Sequence, residues 1–358
     1  MNNDFYSMLD GAAPASRGVS REARELSRQV QDKSLTLIDR IESYEDIINL
    51  EIGDTSMTRA RNMEREYDVR QLYLKFEGGN PTGTQKDRIA FSQCHDALRR
   101  GYDTVTLASC GNYGAAMAMA AQLAGLQCNI FIPENYHTAR IQEMEALGAR
   151  VIRHEGSYED SVEYSIKTAE EKEWYDANPG GKNTPLQLNS YAEIANEIYD
   201  SLRDAPRMVA VPVSNGTLLA GIYRGFVSLH KRGKTSRIPH MIAASSTHKN
   251  PVVVSFQKGL ENCIDLLPSK IRETKVNEPL INWHSFDGDE ALYALRQSDG
   301  LAFNVSDEKL TRFSKQLREK EGLHVLPAST AGLSAILQQH QKESLDPDRY
   351  VVILSGRK

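Results

Sequence analysis

An α/β fold with mostly parallel, twisted sheets is what this chain predicts, and a recurring unit predicts it: a short apolar strand, a glycine-bearing turn, then a helix. Residues 72–76 (LYLKF) alternate, with Leu72, Leu74 and Phe76 on one face. Gly78, Gly79, Asn80, Pro81 and Gly83 then forbid continuation before a helix begins near Thr84. Residues 104–108 (TVTLA) read as a buried strand that ends in Ser109-Cys110-Gly111-Asn112-Tyr113-Gly114, with an Ala- and Met-rich helix directly after. Residues 208–213 (MVAVPV) repeat the unit and run through Ser214-Asn215-Gly216-Thr217-Leu218 into another helix. Residues 128–133, a helix through Glu145 and residues 148–152 alternate strand, helix, strand, which implies parallel pairing through right-handed crossovers.

The remaining elements follow in order. The spacing of Leu26, Val30, Leu35, Leu37, Ile38, Ile41 and Ile47 predicts one or two amphipathic helices between Ser20 and about Leu50, with Ser20 or Ser43 as caps. Residues 176–198 carry turn signals and then a helix, residues 240–246 read as a strand, and Ser306-Asp307 as a helix start. Residues 250–284 read as an irregular stretch to which no chemistry is assigned, and His137 and His154 as surface or loop residues. Residues 350–354 (YVVIL) form a last buried strand, with Ser355 and Gly356 turning after it.

With 358 residues and 40% apolar content, the chain can bury one large core or two moderate ones. A net charge of −5 and a pI near 6.0 leave no basic footprint for nucleic acid, and residues 231–234 are too short a basic cluster to make one. No apolar run approaches the roughly 20 residues that a membrane span needs. Residues 1–18 lack a basic start and an apolar centre, so they predict a flexible leader and a cytoplasmic protein. Cys94, Cys110, Cys128 and Cys263 show neither disulfide density nor zinc-site spacing, and are read as free thiols with no metal site.

Two kinds of position carry chemistry. A helix N-terminus is partly positive, so Lys86 in a first turn is misplaced by roughly 0.3–1 kcal/mol. An amine there loses basicity, which suits a Schiff base with an aldehyde; a solvated surface lysine is the other reading of that position alone. The turns at residues 109–114 and 214–218 each put backbone N–H groups at a helix start, an arrangement that holds an anion, although a plain strand-to-helix turn gives a similar string.

The string KFEGGNPTGTQKDR, residues 75–88, resembles the cofactor-lysine segment of the fold-type II pyridoxal-phosphate enzymes, in particular the threonine synthase branch, which reads KFEGLNPTGSFKDR. Thr84 stands for Ser and Gln85 for Phe. The resemblance runs over about residues 50–358 and keeps four motifs in order: the lysine, the loop at 109–113, the loop at 214–218 and the terminal serine. It implies pyridoxal 5′-phosphate as cofactor, with Lys86 as the Schiff-base lysine and, once released, the base at the substrate's Cα. Thr84, Ser109, Cys110, Gly111, Asn112 and Tyr113 would grip the α-carboxylate of a small-molecule amino-acid substrate, Asn112 also meeting the cofactor's phenolic oxygen. Ser214, Asn215, Gly216, Thr217 and Leu218 would hold the 5′-phosphate, and Ser355 would face the ring nitrogen, a neutral partner that suits elimination and replacement at the side chain.

The same resemblance implies a tryptophan synthase beta-like architecture: a smaller substrate domain of residues 90–190, a larger cofactor domain of residues 19–89 and 191–358, and a homodimer. The closest activity is threonine synthase, which converts O-phosphohomoserine and water to threonine and phosphate. Two departures bear on it. The branch carries a cationic clasp for the substrate phosphate near the positions of Gln187, Tyr191, Ala192 and Glu193, so Lys182 or another residue would have to replace it; and Leu326 replaces a Glu before Pro327-Ala328-Ser329. β- or γ-replacement or elimination on a different amino acid is therefore an alternative. A non-catalytic pyridoxal-phosphate-binding protein is the alternative of another class.

Overall fold

The computed structural model describes residues 18–136, 138 and 140–358; the predicted leader, apart from Gly18, and His137 lie outside the described residues. In chain order the strands are β1 (Met57–Arg59), β2 (Leu72–Phe76), β3 (Thr104–Ala108), β4 (Gln127–Pro133), β5 (Arg150–His154), β6 (Tyr175–Asp176), β7 (Met208–Pro212), β8 (His240–Ser246), β9 (Leu301–Val305) and β10 (Tyr350–Leu354). They form a six-stranded sheet ordered β1-β2-β10-β7-β8-β9 and a four-stranded sheet ordered β5-β4-β3-β6. Every pairing is parallel except β1 with β2.

The chain divides into two compact units. The described residues up to Gly53, with Asn80–Gln187, contain the four-stranded sheet; Asp54–Gly79 with Leu188–Lys358 contain the six-stranded one. This division departs from the boundaries read in the sequence, which assigned residues 19–89 to the larger domain. The residues before Gly53, and residues 80–89 with Lys86, belong to the smaller unit. Packing is the reason. Tyr44, on the helix Leu37–Glu51, is fully buried and donates its hydroxyl to Ala120 O at 2.9 Å. Ser27, on the helix Arg21–Gln31, donates to Leu123 O at 3.0 Å, and Gly53 N donates to Asn80 Oδ1 at 3.1 Å.

Local signals set the helix ends. Ser20 caps the first helix, accepting from Ala23 N at 3.1 Å. The second is capped by Thr36 and not Ser43: Thr36 and Asp39 exchange side-chain and backbone hydrogen bonds in a capping box, whereas Ser43 lies inside the helix and donates back to Asp39 O at 2.8 Å.

In the second unit Leu72, Leu74, Val352 and Leu354 join one apolar core with Leu333 and Ile336 of the helix Ala331–Lys342. Lys75 is buried too, at 1% exposure, against the alternation that would leave its face polar and wet. Its ammonium donates to Thr55 O and to the carboxylate of Glu197 on the helix Thr184–Leu202, the pairing a buried cation requires. β2, β10 and β7 lie side by side and parallel, so their carboxyl ends at Phe76, Leu354 and Pro212 open along one edge, where α/β sheets bind ligands. Residues 250–284 are less irregular than the sequence suggests: Asn250 caps a helix, Pro251–Gln257, accepting from Val253 N at 3.2 Å.

Candidate active site

In the first unit, Lys86 is the opening residue of the helix Lys86–Arg99. The turn before it is braced from within: the Thr82 N–H and hydroxyl donate to the Asp87 carboxylate at 2.9 and 2.7 Å, and Lys86 N donates to Thr84 Oγ1 at 3.2 Å. Asp87 is fully buried in the first turn, so its negative charge sits where the helix dipole favours an anion and offsets the cation beside it. Thr84 is buried as well, its hydroxyl oxygen engaged by that backbone contact.

The Lys86 ammonium lies 5.3 Å from the centroid of the Tyr113 ring, a cation–π distance. That ring is fixed, because the Tyr113 hydroxyl donates to Ala177 O at 2.7 Å and accepts from Gln93 Nε2. Ser109, at the end of β3, shapes the loop by accepting from Gly114 N at 2.8 Å. A Cβ at Gly114 would press on Met144 Cε at 2.5 Å and lie 3.3 Å from Ser109 O, so a side chain there would have to displace Met144. Cys110, Gly111 and Asn112 are half-buried, with Gly111 and Asn112 opening the helix Asn112–Ala124.

The sequence reading missed Arg140. Its guanidinium donates to Asn112 Oδ1 at 2.9 Å and reaches Thr82 O at 3.4 Å, while Glu143 holds its other side. A guanidinium can only donate, so the Asn112 carbonyl is captured and its NH2 is the group left to present. The segment around Arg140 reads as architecture in the sequence, and nothing there signals this contact. Cys94 on the Lys86 helix and Cys128 on β4 take no part: burial pushes both thiols up, Cys128 to about 12, so they stay protonated at neutral pH.

In the second unit the loop after β7 is built as a set of donors. Gly216 has φ +100°, and a Cβ there would meet Asp287 O at 2.7 Å and Ala291 Cβ at 2.8 Å. The loop's acceptors are taken: Ser214 O by Asn250 Nδ2 at 3.0 Å and Ser285 Oγ at 3.2 Å, Asn215 O by Asp287 N at 3.1 Å, and Asn215 Oδ1 by Asn282 Nδ2 at 3.0 Å. The Thr217 hydroxyl donates to the Asp287 carboxylate. None of the backbone N–H groups of residues 214–218 has a hydrogen-bond acceptor among the described residues. Orphan donors at the start of the helix Thr217–Lys231 fit a phosphate dianion. The Leu218 side chain is buried, at 8% exposure.

Ser355, just past β10, is half-buried, its Oγ 3.1 Å from that of Ser329. Ser329 is fully buried and also accepts from Gly356 N at 2.9 Å, which locks the turn.

At the positions where the branch carries its phosphate clasp, this chain has no cation: Ala192 is half-buried and Glu193 exposed. Gln187 is buried and donates to Asn178 O at 3.0 Å; Tyr191 is fully buried; Lys182 is exposed and paired with Glu170 at 3.0 Å.

Comparison with known proteins gives the family and the fold. A family described as "Pyridoxal-phosphate dependent enzyme" matches residues 48–356. The threonine synthase of Methanocaldococcus jannaschii is 30% identical over 311 residues, covering 86% of this chain and 75% of the relative. That of Mycobacterium tuberculosis is 28% identical over 291 residues, 80% of this chain and 76% of the relative. Among solved structures, maize serine racemase superposes with a TM-score of 0.73 at 22% identity, covering 89% of this chain and 93% of that one. The processed threonine deaminase isoform 2 of Solanum lycopersicum gives 0.71 at 17% identity, covering 89% and 90%. At such identities these two speak for the fold alone.

Proposed function

The chain belongs to the pyridoxal-phosphate dependent enzyme family, and from that premise we propose a lyase or synthase that removes or replaces a side-chain group of a small amino acid, closest to threonine synthase. Pyridoxal phosphate supplies an aldehyde carbon to join and a ring that withdraws electrons from the substrate's Cα. The rest falls to the chain. Lys86 Nζ would hold the aldehyde carbon and, when released, take the Cα proton as general base. The Asn112 NH2, its carbonyl captured by Arg140, would donate to the phenolic oxygen. Residues 109–113 would receive the substrate carboxylate, the orphan N–H groups of residues 214–218 the cofactor phosphate, and the Ser355 hydroxyl the ring nitrogen.

The observation that carries this reading is Lys86 held at a helix start over the immobilised Tyr113 ring, in the same unit as the loop at residues 109–113. Tyr113 would line the space beside Lys86, its contact with the ammonium worth about 0.5–2 kcal/mol. A second reading, replacement or elimination on an amino acid without phosphate, is supported by the buried neutral Gln187 and the exposed Lys182.

Assay of the cofactor-loaded protein with O-phosphohomoserine separates these. Phosphate and threonine released together support threonine synthase. Turnover only with other amino acids bearing a leaving group supports the second reading. Absence of any amino-acid turnover would overturn the enzymatic reading in favour of a binding protein.

A further inference from the structure

Residues 250–284 carry no recognisable chemistry in the sequence, yet two asparagines from this stretch stand directly behind the loop at residues 214–218. Both are buried, Asn250 at 1% and Asn282 at 6% exposure, so water cannot substitute for their partners. Their amides are oriented by a chain of constraints. Asn250 uses Oδ1 to cap the helix Pro251–Gln257, which turns its Nδ2 toward Ser214 O at 3.0 Å, Leu280 O at 3.3 Å and Asn282 Oδ1 at 3.0 Å. Asn282 accepts there, so its own Nδ2 must face the other way, toward His284 O at 2.7 Å, Ser285 Oγ at 2.9 Å and Asn215 Oδ1 at 3.0 Å. A backbone carbonyl cannot donate, so His284 O admits only this orientation. Asn215 is left with its carbonyl captured and its NH2 to offer.

We propose that Asn282 is a positioning residue for the phosphate loop: it holds the Asn215 amide so that this side chain can only donate, toward the oxygens of a phosphate monoester. The proposal rests on the reading of residues 214–218 as the cofactor's phosphate site. Without the clamp, a half-turn of the Asn215 amide would aim its carbonyl at the anion, replacing a charge-assisted hydrogen bond with repulsion.

The test uses the full-length, cofactor-depleted protein, titrated with pyridoxal 5′-phosphate and separately with pyridoxal, which lacks the phosphate; denaturation midpoints are recorded alongside. Asn282→Ala and the isosteric Asn282→Asp, which cannot donate, are expected to weaken pyridoxal 5′-phosphate binding by about tenfold or more, the worth of one hydrogen bond to a charged group. Pyridoxal binding should stay unchanged. In an Asn215→Ala background, Asn282→Ala should add less than about twofold, because the clamp acts through Asn215.

Equal losses from Asn282→Ala in both backgrounds, or an equal loss for pyridoxal, would overturn the proposal and leave Asn282 a structural residue. If Asn282→Asp does not fold, the comparison of Asn215→Ala with the double variant decides alone. Gly216→Ala separates the two levels: wild-type phosphate affinity in that variant refutes the phosphate-site reading itself. Loss there without loss at Asn282 refutes only the clamp.

Discussion

Gly216→Ala is the substitution whose cost can be worked most directly from the geometry. The residue sits at φ +100°, outside the conformations an L side chain adopts readily, which costs about 1–2 kcal/mol. Its Cβ would lie 2.7 Å from Asp287 O and 2.8 Å from Ala291 Cβ, the first a backbone atom with no rotamer to yield. Relieving that contact means moving the Asp287 main chain, whose N–H holds Asn215 O at 3.1 Å, so the loop and its support shift together. Overpacking of this kind adds about 1–3 kcal/mol, for a total of about 2–5 kcal/mol. The assay is urea denaturation of the cofactor-free protein, paired with titration by pyridoxal 5′-phosphate. A lowered midpoint with cofactor affinity reduced at least about tenfold is expected. A variant within about 0.5 kcal/mol of the parent, the usual range for an inconsequential surface change, and with undiminished affinity would refute the steric argument.

Three other outcomes can be checked. Lys86→Ala should lose the visible absorbance of the loaded protein that borohydride reduces; a variant that keeps a reducible band would remove Lys86 from its assigned role. Lys75→Met should cost about 3 kcal/mol or more, since it strips the buried ammonium from Glu197; Glu197→Gln in that background should recover part of the loss in denaturation midpoint. The raised pKa values of Cys94 and Cys128 mean that these thiols gain thiolate character only well above neutral pH. Between pH 7 and 9, pH values the assay sets, they should resist a disulfide reagent until the protein is unfolded. Rapid labelling of either in the native protein, located by mass spectrometry, would contradict their burial.

Local chemistry made the parallel α/β fold and the lysine helix legible, because alternation, glycine turns and caps act over a few residues. TVTLA is buried throughout, as its composition demands, and Gly216 takes the positive φ that only glycine accepts at little cost. What the sequence could not state depends on groups far apart in the chain. The domain boundary was misjudged because Tyr44 and Ser27 reach the helix Asn112–Ala124, contacts that span 76 and 96 residues. Lys75 is buried because Glu197, 122 residues away along the chain, gives its ammonium a partner.

The site divides in the same way. Lys86, Asn112, Gly216 and Ser355 could be proposed from the sequence because each sits in a short string that resembles a family motif. Arg140, Asn250 and Asn282 could not, because an arginine or asparagine acquires its role only from the carbonyl it meets. The sequence by itself determined which backbone segments form turns at strand ends and that a lysine stands at a helix start after one of them. Only the tertiary structure decided which way the amides of Asn112 and Asn215 point, because a hydrogen-bond direction is set by the partner across space and not by the neighbour along the chain.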